Sequence, residues 1–109
     1  MSTNIKRTEV DLLLKALASP RRRQILEWLR EPEKNFPQQE HAILLGVCAG
    51  QIERKCKLAQ STVSAHLHTL QRTGLITCQK LGPIHFFKRR EDAIETLIKT
   101  LKIILKIEI

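Results

Sequence analysis

Gln60-Ser61-Thr62-Val63-Ser64-Ala65-His66-Leu67-His68 is the stretch that decides how the 109-residue chain is read. Continued to Thr73, it places Val63, Leu67 and Leu70 at i, i+4 and i+7, the spacing of one buried helical stripe. Gly74 follows, where a helix-ending glycine is expected. At 100° per residue, Ser61, Ala65, His68 and Arg72 fall opposite that stripe, flanked by Thr62, Ser64 and Thr69. The outer face is small and hydroxyl-rich with a basic end, and the helix carries no acid. A solvated helix of no special role more often carries Glu/Lys pairs. Short side chains allow close approach to a groove, while hydroxyls and amides can meet base edges or phosphates. Gln60, at the N-terminal end, can make a bidentate contact with adenine.

Upstream, Gly50 to Lys57 reads as a short helix with Ile52 and Cys56 one turn apart, and Leu58-Ala59 makes a tight connection. Downstream, Leu75 to Lys80 and Ile84 to Arg89 are extended runs joined by Leu81-Gly82-Pro83, a hairpin signal. Two helices across a short turn, followed by a basic hairpin, make a winged helix-turn-helix. Residues 50–73 are its paired helices and residues 75–89 its wing, with Lys80 and Pro83 toward the tip. Before it, Val10, Leu13, Leu14 and Leu17 predict a helix over 8–17, and Ser19-Pro20 starts a second, to about Arg30, that buries Ile25, Leu26 and Leu29. Glu31 to Pro37 reads as a loop, and His41 to Cys48 stays open between a strand and a helical turn. After the wing, residues 91–109 predict a helix of about 28 Å at 1.5 Å per residue. Its broad stripe holds Ile94, Leu97, Ile98, Leu101, Ile104 and Leu105, extended by Ile103, Ile107 and Ile109. A small core cannot cover all of that surface, so the two terminal helices are expected to form a dimer; the alternative is that the last helix packs on its own domain. The expected fold class is mainly α with a small β-hairpin wing, as one domain over 1–109.

The charge points the same way. The chain has a net charge of +8, yet residues 54–90 hold eight basic residues and no Asp or Glu. The whole excess therefore lies in one segment, bracketed by Glu53 and Glu91. One-sided charge of this kind suits a polyanion, because each neutralised phosphate releases counterions. A solvated basic face usually carries interspersed acids. No apolar run approaches the ~18 residues of a membrane span, so no membrane partner is expected. The polar N-terminal stretch has no secretory signal pattern, and three cysteines do not make a disulfide framework; a cytoplasmic location is expected.

Three stretches carry a family resemblance: Ala18-Ser19-Pro20-Arg21-Arg22-Arg23-Gln24-Ile25-Leu26, Gln60 to Leu67, and Leu70-Gln71-Arg72-Thr73-Gly74-Leu75-Ile76. In this order, with long helices at both ends, the chain resembles the bacterial ArsR/SmtB-type winged-helix repressors. The resemblance implies a homodimer that binds double-stranded DNA at a palindromic operator and represses until an effector releases it. It also implies that Gln60, Ser61, Ser64 and Ala65 stand where the family contacts bases and phosphates, with Lys80 and Gly82-Pro83 at the wing. Thr62, His68 and Arg72 join the candidate DNA-binding set from their place on the outer face. Two residues depart from the family pattern: Lys57 where a turn glycine is common, and Ala59 where a serine N-cap is common.

His66 lies at the border of the buried stripe and reads as a packed, hydrogen-bonded histidine rather than a base reader. Cys48 matches the first position of the family's thiolate cluster, but Gly50 and Glu53 stand where further cysteines are needed. Cys56 reads as core, and no histidine follows His85 to complete the carboxylate–histidine site of the last helix. No metal site or cofactor within one chain is therefore expected, although Cys48 or Cys78 could act across subunits. No nucleophile–base pair, phosphate loop or ligand cluster suggests an enzyme. The rival to a DNA-binding regulator is a winged-helix module for protein contact.

Overall fold

The computed structural model describes residues 6–107. Helix α1 (Arg7–Leu17) buries Val10, Leu13 and Ala16. Leu14, expected on that stripe, is exposed instead, because the inward face follows i, i+3 and i+6 and leaves Leu14 on its flank. Helix α2 (Pro20–Arg30) starts as its sequence dictates: the Arg22 backbone N–H donates to Ser19 Oγ at 3.3 Å, and Pro20 fills N1. Arg22 donates to the carbonyls of Ala16 (2.6 Å) and Lys15 (3.1 Å), and Arg23 to that of Leu17 (2.6 Å). The Ala16 and Leu17 carbonyls are left without helical partners at the end of α1, while that of Lys15 also accepts from the Ala18 N–H at 3.2 Å, so two guanidinium groups tie the α1–α2 corner.

The segment expected as a loop holds a one-turn helix, α3 (Pro32–Asn35). Its proline starts a helix at N1 rather than merely ending the preceding one. Asn35 Nδ2 splices the two helices by donating to the carbonyls of Trp28 (3.2 Å) and Glu31 (3.0 Å). The open region resolves into both of its alternatives in sequence: a 3₁₀ turn over Ile43–Leu45, then strand β1 (Val47–Cys48). Between them Gly46 has φ 107°, and a Cβ there would stand 2.8 Å from the Phe87 carbonyl oxygen.

Helices α4 (Ala49–Cys56) and α5 (Gln60–Arg72) follow, joined by Lys57, Leu58 and Ala59. Helix α5 ends in a Schellman pair, Gly74 N–H to Gln71 carbonyl (3.0 Å) and Leu75 N–H to Leu70 carbonyl (3.0 Å), with Gly74 at φ 80°. The wing is β2 (Ile76–Leu81) and β3 (Ile84–Arg89), paired from Ile76↔Arg89 to Leu81↔Ile84. Leu81 thus belongs to a strand, and only Gly82 and Pro83 make the turn. The sheet has a third strand that the hairpin pattern does not announce: β1 pairs antiparallel with β3 at Val47↔Phe87, giving the order β1-β3-β2.

Helix α6 (Glu91–Leu105) stops short of the expected end at 109. Lys106 adopts a left-handed φ of 55°, and the Ile107 N–H turns back to the Lys102 carbonyl at 2.9 Å. The last two positions of the expected helix lie outside the described residues. Leu97 enters the core formed by Ile25, Val47, Ile52, Val63, Leu70, Leu75 and Ile76, with Ile94 and Leu101 packed at its edge. Most of the large apolar residues left exposed lie on the terminal helices, Leu12, Leu14, Ile98, Ile103 and Leu105, with Ile107 just beyond; Leu44 in the 3₁₀ turn and Leu81 in the wing are exposed elsewhere. The Cα radius of gyration is 14.8 Å, above the ~13 Å of a compact chain of this size.

Candidate nucleic-acid interface

The turn between α4 and α5 is built against local preference. Lys57 sits in the left-handed region at φ 55°, where glycine is strain-free, and Ala59 occupies the N-cap without a side-chain hydrogen bond. What holds the turn is packing. Ile52 and Cys56 of α4, and Val63, Leu67 and Leu70 of α5, are all buried in one core. That core orients α5 so that its other face is free.

All nine candidate residues are exposed: Gln60, Ser61, Thr62, Ser64, Ala65, His68 and Arg72 on α5, Lys80 on β2, and Pro83 in the wing turn. Gln60, Ser64 and His68 come together along one edge of α5, lining a cleft of about 290 Å³ with Gln71, Glu53 and His85. Lys80 pairs with His85 in the wing register but does not itself line the cleft. Arg72 is not brought to this group. It closes the far end of α5 and lines a separate cleft of about 860 Å³ with Gly74, Leu12 and Arg90. Gln71 and His85 were not singled out from sequence. Gln71 had a readable signal, since Ser64, His68 and Gln71 stand at i, i+4 and i+7; His85 had only its register opposite Lys80.

His66 packs on the opposite flank of α5, half-buried, with its Nδ1 accepting from Arg22 Nη1 at 3.3 Å. Burial, and then the charges of Arg22 and Arg21, push its pKa below the ordinary histidine value. Cys56 is buried, and desolvation raises its thiol pKa. Cys48 is the N-cap residue of α4, its backbone N–H donating to Gln39 Oε1 at 2.9 Å. Cys78 stands on β2 with Sγ 3.5 Å from His85 Nδ1, its thiol pKa also raised by desolvation. Among the described residues no three His, Cys, Asp or Glu side chains gather into a metal-holding group.

Residues 47–77, which span β1, α4, α5 and the start of the wing, match the family model described as bacterial regulatory protein, arsR family. Over 92 residues the chain is 42% identical to the uncharacterized HTH-type transcriptional regulator YbzH of Bacillus subtilis (strain 168), covering 83% of this chain and 92% of the relative. The chain belongs to the ArsR family of bacterial regulatory proteins. It is 30% identical over 90 residues to the transcriptional activator HlyU of Vibrio cholerae, covering 83% of this chain and 71% of that one. A homodimeric winged helix-turn-helix DNA-binding domain from Mycobacterium bovis superposes with a TM-score of 0.61 at 23% identity, covering 98% of this chain and 93% of the other. The ArsR-family chain is thus a transcriptional regulator with a winged helix-turn-helix fold. No helix among its described residues is long and apolar enough to cross a membrane.

Proposed function

We propose that this ArsR-family regulator is a cytoplasmic homodimer that represses transcription by binding a palindromic operator in double-stranded DNA, and that an effector releases it. The observation that carries the reading is the acid-free exposed face of α5, set beside a cationic wing. In this reading Gln60, Ser61, Thr62, Ser64, Ala65 and His68 enter the major groove, Arg72 meets the backbone at the helix end, and Lys80 and Pro83 bring the wing to the duplex. Residues 1–109 act as one unit: 50–73 read DNA, 75–89 form the wing, and the terminal helices dimerise. The exposed apolar side chains of α1 and α6 support that last assignment, as does the homodimeric mycobacterial domain of the same fold. The function requires no catalysis.

The Vibrio cholerae relative is named as an activator, and either sign of control uses the same DNA-reading surface. A reporter driven by the bound promoter decides between them: deletion of the gene raises expression if the protein represses and lowers it if it activates. Binding itself is tested on a duplex enriched from a random-sequence pool. A regulator retains that duplex over a scrambled one, whereas a module for protein contact enriches none.

A further inference from the structure

We infer that Arg22 and His66 are positioning residues for operator recognition: their hydrogen bond pins the recognition helix α5 to the α1–α2 corner. The inference rests on the DNA-binding reading above. Arg22 is a hub. Its Nε and Nη2 donate to the carbonyls of Ala16 and Lys15 at the end of α1, and its Nη1 donates to His66 Nδ1 at 3.3 Å. A guanidinium is always a donor, so Nδ1 must offer a lone pair, which requires the neutral imidazole with its proton on Nε2. On the α5 wheel His66 lies between Thr62 and Leu70, on the flank away from the Gln60, Ser64 and His68 edge that faces the wing. Helix α5 is therefore gripped from both sides, by the sheet on one and by Arg22 on the other. The bond also links the helix assigned to dimerisation with the helix assigned to reading, through a single side chain.

Protonation breaks the tie. An imidazolium has no acceptor and would set two donors face to face. The charges acting on the ring come from α2, Arg22 and then Arg21, and both are cationic. On α5 itself there is no carboxylate to offset them. Acid therefore loosens α5, and variants at residue 66 isolate that effect from any other pH dependence of DNA binding.

The 109-residue protein is titrated with a fluorescent duplex enriched from a random pool, at pH 7.5 and 5.5. In His66→Asn the amide oxygen replaces Nδ1 with an acceptor that does not titrate. We expect it to match wild-type affinity at pH 7.5 within about twofold and to lose less affinity than wild type as the pH falls to 5.5. His66→Ala should bind about tenfold more weakly at pH 7.5 while unfolding at a similar temperature. Equal pH profiles for wild type and His66→Asn would overturn the inference. Nitrogen NMR of the free protein supplies a reading independent of DNA: an unprotonated Nδ1 at pH 7.5 is expected, and a protonated Nδ1 contradicts the bond. If no duplex is enriched at all, the DNA reading fails and the positioning role fails with it, while the nitrogen spectrum still shows whether the contact exists.

Discussion

At the scale of single residues, the α4–α5 turn shows where this chain gives up local stability. Lys57 holds a left-handed conformation that costs an L-residue roughly 1–2 kcal/mol, and Ala59 leaves an N-cap unused. Ala59→Ser should therefore stabilise the protein by about 1 kcal/mol, read as a rise in the denaturation midpoint at unchanged slope. Gly46 is the opposite case. Gly46→Ala must accept φ 107° and a Cβ 2.8 Å from the Phe87 carbonyl oxygen, and should cost at least about 2 kcal/mol; thermal unfolding several degrees below wild type checks this. His66 adds a pH dependence. Its folded pKa is lowered, chiefly by burial, so below about pH 6.5 the unfolded chain takes up a proton more readily than the native one. That contribution to stability is present above this value and is lost as the pH falls. The pH profile of thermal unfolding for His66→Asn should accordingly be flatter on the acid side.

At the scale of elements, the recognition helix and the wing make different demands on DNA. Ser61→Ala or Ser64→Ala removes an exposed hydroxyl with no packing role, so each should weaken binding to the enriched duplex more than to scrambled DNA and leave the unfolding midpoint in place. Lys80→Ala should weaken both alike and reduce the salt slope by about one. Unchanged affinity in both kinds of variant would remove the assignment of α5 as the reading helix. Most of these elements were legible in the sequence because each carries its own signal: Ser19-Pro20 starts α2, Val63, Leu67 and Leu70 mark the inner face of α5, and Gly74 ends it. What was illegible is non-local or goes against residue type. Two-residue β1 has no alternation to detect and exists only by pairing with β3, forty residues away at Val47↔Phe87. Helix α6 ends at Lys106, a residue whose type does not favour a left-handed stop. The site was legible as a face of α5, but Gln71 and His85 enter it only once the wing is folded against that edge, and the Arg22–His66 bond spans 44 residues.

Across the whole molecule, the exposed leucine and isoleucine side chains on α1 and α6 are the apolar surface that favours assembly. Each fully buried one contributes roughly 1.5–3 kcal/mol. Leu12 and Ile98 are 51% and 49% exposed and lie outside the core cluster, whereas Leu101 packs against it. Leu12→Glu with Ile98→Glu therefore tests the interface without disturbing the core. It should yield a folded monomer in sedimentation that has lost tight DNA binding. Whether this molecule reads DNA sequence with charge-assisted contacts is decided by one titration. Affinity for the enriched duplex and for a scrambled one is measured between 50 and 200 mM salt. A steep fall of log affinity with log salt is expected for both, with at least about a thousandfold preference for the enriched duplex. A flat salt dependence, or equal affinity for the two duplexes, would contradict that reading.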